Sequence, residues 1–208
     1  MLAGCPLRGT SVDVDPALTE RIESTQEELD AAWIDGPPIV TGPVVVVEYD
    51  GEWPELFQRE ERRIRELLGD TVVSIEHVGS TSVPGLAAKP IIDIDLVVPS
   101  SSDEATYVPP LEAAGYRLII REPNWHEHRM LKGPDTNVNL HVFSPGAVET
   151  RRHLVFREWL RSHPDDRDLY ARTKLELAGR EWADTRDYTF AKNEVIDAIY
   201  ARAFAAES

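Results

Sequence analysis

Residues 75–96 read IEHVGSTSVPGLAAKPIIDIDL, and the two ends of this stretch carry the fold. Asp93 and Asp95 stand two apart in an otherwise apolar run. Period-two alternation places both carboxylates on one face of a strand, with Ile92, Ile94 and Leu96 on the other. Adjacent carboxylates repel, and burying them unpaired is expensive. A divalent cation is the simplest compensation, and hard oxygen ligands suit magnesium or manganese. Two aspartates at a sheet end, both in water, are the bland alternative, which an isolated Asp-x-Asp favours. At the other end, Gly79-Ser80-Thr81-Ser82 directly follows a strand. Glycine lets backbone come close to a ligand, and the hydroxyls and amides can hold phosphate oxygens. Strand, Gly-Ser turn, short connection and Asp-x-Asp strand together are far more specific than either part.

Working outward, Val44–Tyr49 reads as a strand, and Asp50-Gly51 as a turn. Pro54 opens a helix whose apolar face carries Leu56, Phe57, Ile64, Leu67 and Leu68, closed by Gly69. Val72–Val78 and Pro90–Val98 are strands, and Pro109-Pro110 starts a short helix. Tyr116–Arg121, His126–Lys132 and Asn137–Phe143 are further strands, the last two joined by a hairpin turn at Gly133–Thr136. Helical period follows over Ala147–Ser162, Asp166–Trp182 and Arg186–Ala205. Sheet first and helices last predict an α+β fold.

Residues 1–42 hold eight acids and two arginines. They read as a flexible acidic arm carrying one marginal helix, ahead of a domain over 43–208 (sheet-rich to 146, helical after). The whole chain has 208 residues and a formal net charge of -15. That balance argues against a long nucleic acid or an anionic membrane as partner. One cysteine excludes an intrachain disulfide. No apolar run approaches the roughly 20 residues of a spanning helix, and no secretory signal is evident, so a cytoplasmic location is the default expectation. Only four of the 22 basic residues are lysines: Lys89, Lys132, Lys174 and Lys192.

Gly79-Ser80 with Asp93-x-Asp95 resembles the signature of the nucleotidyltransferase fold of polymerase-beta-like enzymes. The wider stretch 75–96 resembles the GrpB family. The likeness continues through Asn139–Phe143, Arg152–Arg157, Tyr170-x-x-x-Lys174-x-x-Leu177-Ala178 and Tyr188-x-x-x-Lys192, and covers about Val44–Ala203. The resemblance implies a nucleotidyltransferase-like mixed sheet with C-terminal helices. By carry-over, Gly79 and Ser80 would grip a nucleoside triphosphate, and Asp93 and Asp95 would bind Mg2+ or Mn2+. In-line attack on the α-phosphate would pass the nucleotidyl group to a small-molecule or protein acceptor. A third carboxylate completes such sites, but the later strand here offers Asn139 and His141 instead. His141 takes that position, and histidine is a poorer magnesium ligand. A one-metal site, a hydrolytic phosphotransfer with His141 as base, or a non-catalytic module regulating a protein partner all fit. A related domain occurs fused to dephospho-CoA kinase.

Thr81, Ser82 and Lys89 join the candidate phosphate set. Arg129 could face the same groove from its hairpin strand, or lie on the sheet surface. His77 could reach the site from the strand end, or pack. His153 and Arg157 share a helical face and could meet an anion together. Lys174 and Lys192 each follow a tyrosine by four residues, which suits either phosphate contact or a lysine stem snorkelling past its tyrosine.

Overall fold

The computed structural model describes residues 16–19, 22, 24–36, 43–182 and 185–207. Two short helices, α1 (Pro16–Thr19) and α2 (Gln26–Ala32), precede the long α3 (Trp53–Leu68). Strands β1 (Ser74–Val78) and β2 (Ile92–Val97) flank the Gly79–Ser82 turn. Helix α4 (Val108–Ala113) leads to β3 (Arg117–Glu122), β4 (His128–Lys132) and β5 (Val138–Phe143). Four helices follow: α5 (Val148–Ser162), α6 (Pro164–Ala178), α7 (Thr185–Phe190) and α8 (Asn193–Glu207). The sheet order is β1-β2-β5-β4-β3, with β2 and β5 parallel at its centre and the other pairs antiparallel. This is an α+β fold with a mixed sheet.

Alternation along β2 divides the molecule. Ile92, Ile94 and Leu96 face one way and, with Leu140, Val142 and Leu131, form a core closed by Ile64 and Leu68 of α3 and Leu111 of α4. Helix α3 keeps its apolar face toward this core, and Gly69, at φ +52, ends it. Asp93 and Asp95 face the other way, opposite Asn139 and His141 on β5. A second core, with Val83, Leu86, Leu160, Tyr170 and Ile199, holds α5, α6 and α8 together beside the strand ends. Helices thus cover both faces, and the polar face becomes the wall of a cleft.

Three expectations change. Val44–Tyr49 forms only an isolated bridge, Val47 with Ala88. Valines favour extended backbone, but the facing segment turns at Pro84-Gly85 and again at Pro90, whose ring nitrogens donate nothing. The expected helix over 186–205 is broken after Phe190, where Lys192 N–H turns to the Thr189 carbonyl. Helix α6 stops at Gly179 rather than reaching Trp182. The described parts of the first 42 residues lie against the core. Leu18 packs on Tyr200 and Phe204, and Trp33 bridges to Ile120 at the β3 edge. Among the described residues no helix is long and apolar enough to cross a membrane.

Candidate functional site

The turn after β1 is built to be tight. Gly79 adopts φ +73, and a side chain there would collide with the Asp93 carboxylate. Ser82 Oγ–H donates to the Gly79 carbonyl at 2.7 Å, and Thr81 Oγ1–H to the Ile91 carbonyl at 3.0 Å. Arg161 donates to the Ser82 carbonyl from behind at 2.7 Å. Thr81 and Ser82 are buried, Ser80 is half-buried and Gly79 is exposed. The Thr81 and Ser82 hydroxyls therefore brace the turn rather than face a ligand, which corrects the expectation for both. Gly79 and Ser80 remain the part that a ligand can meet.

All four lysines of this arginine-rich chain gather beside that turn. Lys174 Nζ lies 3.3 Å from Ser80 Oγ and also donates to the Ala87 carbonyl. The charge of Asp93 acts on Lys89, Lys132 and Lys192. Two ammonium groups meet the Tyr188 ring, Lys192 at 4.8 Å and Lys89 at 5.2 Å from its centre. Lys174 lies over Tyr170 at 4.4 Å. The tyrosine–lysine pairs read from the sequence are thus formed, although Lys192 sits at the α7–α8 break. Burial pushes Lys174 down to about 7, helped by Lys192, and Lys192 down to about 8, helped by Lys89. Desolvated ammonium groups this close together lack sufficient negative charge, and a bound anion would supply it.

The carboxylates are held differently from one another. Asp93 Oδ1 accepts from Asn139 Nδ2 at 2.7 Å and lies 3.9 Å from His141 Nε2. Burial opposes its ionisation, but His141, Asn139 and Lys132 more than offset this and hold its carboxyl below the ordinary range. Asp95 Oδ2 pairs with His153 Nδ1 at 2.8 Å, across 58 residues of sequence. Burial works against a charged His153, yet Asp95, with Glu149 and Asp93, raises it to about 9. The His153 imidazolium therefore neutralises part of the charge that a metal would. Asp95 Oδ1 is buried with no hydrogen-bond partner. Among the described residues no three or more His, Cys, Asp or Glu side chains form a ready-made metal cluster.

Several candidates lie elsewhere. Arg129 points to the opposite sheet face, where its Nε meets Glu104 at 2.6 Å; one step in β register decides this, since Met130 and not Arg129 faces with His141. His77 also lies on that face, stacked on Phe57 at 4.8 Å and pushed by burial to about 4. Arg157 is occupied by Glu76 at 2.9 Å and the His77 carbonyl at 2.8 Å. It braces β1 rather than waiting for an anion. Sequence reasoning missed Glu122 and His128, which line the cleft beside His141. Period-two spacing of His128, Met130 and Lys132 was the available signal. The cleft encloses about 550 Å³, and Gly79, Asp93, His141 and His153 are among its polar lining residues. Ile120, Trp125 and Phe190 add apolar side chains to its lining.

The GrpB protein family matches residues 43–202. This chain belongs to the GrpB family. A UPF0157 protein of Halalkalibacterium halodurans is 54% identical over 179 residues, covering 86% of this chain and 92% of that one. A dephospho-CoA kinase of Mycolicibacterium paratuberculosis is 30% identical over 192 residues, covering 80% of this chain but 47% of the kinase. The crystal structure of conserved protein GrpB from Enterococcus faecalis superposes with a TM-score of 0.70 at 30% identity, covering 78% of this chain and 99% of that one. Most of the cleft lining therefore lies within the GrpB region, with Ile22, Ser24 and Leu29 outside it, on a fold that a GrpB crystal structure shares.

Proposed function

We propose that this GrpB protein binds a nucleoside triphosphate in the cleft, on a nucleotidyltransferase-like core, and transfers its nucleotidyl group to a small-molecule or protein acceptor. The observation that carries the reading is the convergence of all four lysines on Gly79, Ser80 and Asp93. A compact ammonium serves a phosphate as a point charge, and chance placement would scatter four lysines over 208 residues. Lys89, Lys174 and Lys192 meet the phosphates with the Gly79-Ser80 backbone, and the apolar side chains of the cleft lining offer a surface for the base. Asp93 and the unpartnered Asp95 Oδ1 are the oxygens that would hold Mg2+ or Mn2+. When bound, the metal would draw charge from the phosphate that is attacked. His153 holds Asp95 in place through Oδ2, which would leave Oδ1 for the cation.

A second reading keeps the pocket without turnover. The Asp95–His153 pair and the absence of a third carboxylate on β5 favour it. The mycobacterial relatives named dephospho-CoA kinase suggest that such a module serves a partner enzyme.

Thermal unfolding with each common nucleoside triphosphate, with and without Mg2+ or Mn2+, tests the proposal. Ligand at 100 times its Kd adds about 2.7 kcal/mol. A metal-dependent rise in Tm, lost in Asp93→Asn and Asp95→Asn, supports the nucleotide site. No rise with any triphosphate would overturn it.

A further inference from the structure

Two large apolar side chains that remain exposed line the same cleft. Ile22 is 56% exposed and Phe190 is 45% exposed. Leu29 and the flat indole of Trp125 line it as well. Exposed apolar side chains scattered singly mean little, but gathered around one concavity they mark a surface that a ligand covers. Trp125 is held for such a role. It meets His128 edge-on at 5.3 Å. His128 is in turn fixed from both sides, with Glu122 Oε2 2.6 Å from its Nδ1 and His141 Nδ1 2.9 Å from its Nε2.

Ile22 and Leu29 come from ahead of residue 43, where the GrpB match begins. That stretch is fastened on both sides of them. Before Ile22, Leu18 is buried against Tyr200 and Phe204. Arg152, itself buried and lining the cleft, donates to the Leu18 carbonyl. After Leu29, Trp33 bridges to Ile120, another lining residue, and Ile34 N–H donates to the Ile119 carbonyl at 3.1 Å. Between these anchors a reciprocal cap sets the start of α2. Glu28 N–H donates to Thr25 Oγ1 at 3.2 Å, and Thr25 N–H to Glu28 Oε2 at 2.9 Å. Asn124, next to Trp125, also donates to the Glu28 carboxylate. The helix that carries Leu29 is thus tied to the turn that carries Trp125.

We propose that Ile22 and Leu29 are specificity-determining residues that, with Trp125 and Phe190, form the subsite for the planar ring of a nucleoside. The link from that ring to a triphosphate rests on the proposed function; the ring subsite itself does not. A base has a π-face that stacks on an aromatic side chain, and each such contact is worth roughly 10-fold in affinity. Aliphatic side chains beside the aromatic ones add apolar area that the same ring removes from water. Because Ile22 and Leu29 lie outside residues 43–202, the preference for the ring is set by a part of the chain ahead of the family region.

Nucleosides without phosphate test the subsite by itself. The full chain, labelled with 5-fluorotryptophan, is titrated with adenosine, guanosine, cytidine and uridine, and the 19F signal of Trp125 is assigned by its loss in Trp125→Phe. That signal should move with at least one nucleoside. Ile22→Ser, Leu29→Ala and Phe190→Ala should each weaken the binding of that nucleoside by about 5–10-fold. Ile22 and Phe190 are exposed, so the circular dichroism of their variants should match wild type. No movement of Trp125 with any nucleoside would overturn the proposal. So would unchanged affinity in both Ile22→Ser and Leu29→Ala, whatever Phe190→Ala does. Calorimetry with inorganic tripolyphosphate and Mg2+ reads the phosphate site separately. Its affinity should be the same in wild type and the three variants; a parallel loss would show that the substitutions disturb the whole cleft and would overturn the assignment. Nucleoside binding without tripolyphosphate binding would sink the triphosphate reading and uphold the ring subsite, so the two failures are distinguished.

Discussion

The Asp95–His153 pair should make stability fall as the solution becomes alkaline. His153 ordinarily titrates near 6.5, and the folded protein raises it to about 9. A histidine raised on folding contributes its full stabilisation below the unfolded value, and loses it as pH rises through the folded value. The window is therefore about pH 6.5 to 9. At about 1.4 kcal/mol per pH unit, that interval is worth roughly 3 kcal/mol. His153 is 27% exposed, so water screens part of the interaction, and about 2–3 kcal/mol is expected. The geometry gives a similar figure, since breaking a buried ion pair from one side costs about 3–5 kcal/mol.

Two desolvated lysines, one buried and one half-buried, act in the opposite sense. Lys174 and Lys192 lie at about 7 and about 8, below their ordinary 10.5, so they add stability as pH rises between those values. The comparison must therefore be between wild type and His153→Gln, which leaves both lysines in place. Urea unfolding of each, in chelator-containing buffer at pH 6 and pH 9.5, measures the difference. Wild type should lose about 2–3 kcal/mol more than the variant over this range, which corresponds to roughly 5–10 °C in Tm. Parallel pH profiles for the two proteins would refute the ion pair. A His153 NMR titration with its midpoint near 6.5 would refute it independently.

Gly79→Ala places a Cβ against the Asp93 carboxylate at a φ of +73, so about 1–3 kcal/mol should be lost and Tm should fall by several degrees; a variant as stable as wild type would show that the turn is not held this closely. At pH 8, a bound triphosphate should restore full charge to Lys174 and Lys192, so protons are taken up on binding. Calorimetry in two buffers of different ionisation enthalpy counts them, and proton release would contradict the placement of the phosphates.

Much of this protein was legible along the chain. The α3 face, the Gly133–Thr136 hairpin and the Asp93–Asp95 alternation depend on neighbours within a few residues, and period alone reads them. The same local reasoning failed at residues 44–49, where strand propensity was present but no straight partner was, because a β ladder needs two chains. It failed at Arg129, where hydrophobic patterning did not distinguish the two faces of β4 and the pairing with β5 decided. Lysine scarcity was visible in the composition, but not that Lys89, Lys132, Lys174 and Lys192 meet.

The sequence by itself determined which residues could carry charge into the sheet, and at what spacing along each strand. It determined the Gly79-Ser80 turn and the two carboxylates on one face of β2. Tertiary structure alone decided how that charge is balanced. His153 comes from a helix 58 residues after Asp95, and Lys174 reaches Ser80 from 94 residues away. Glu122, His128 and His141 join only because β3, β4 and β5 lie side by side. Such partners are set by how helices and strands pack, and packing is a property of the whole core, which no local period encodes.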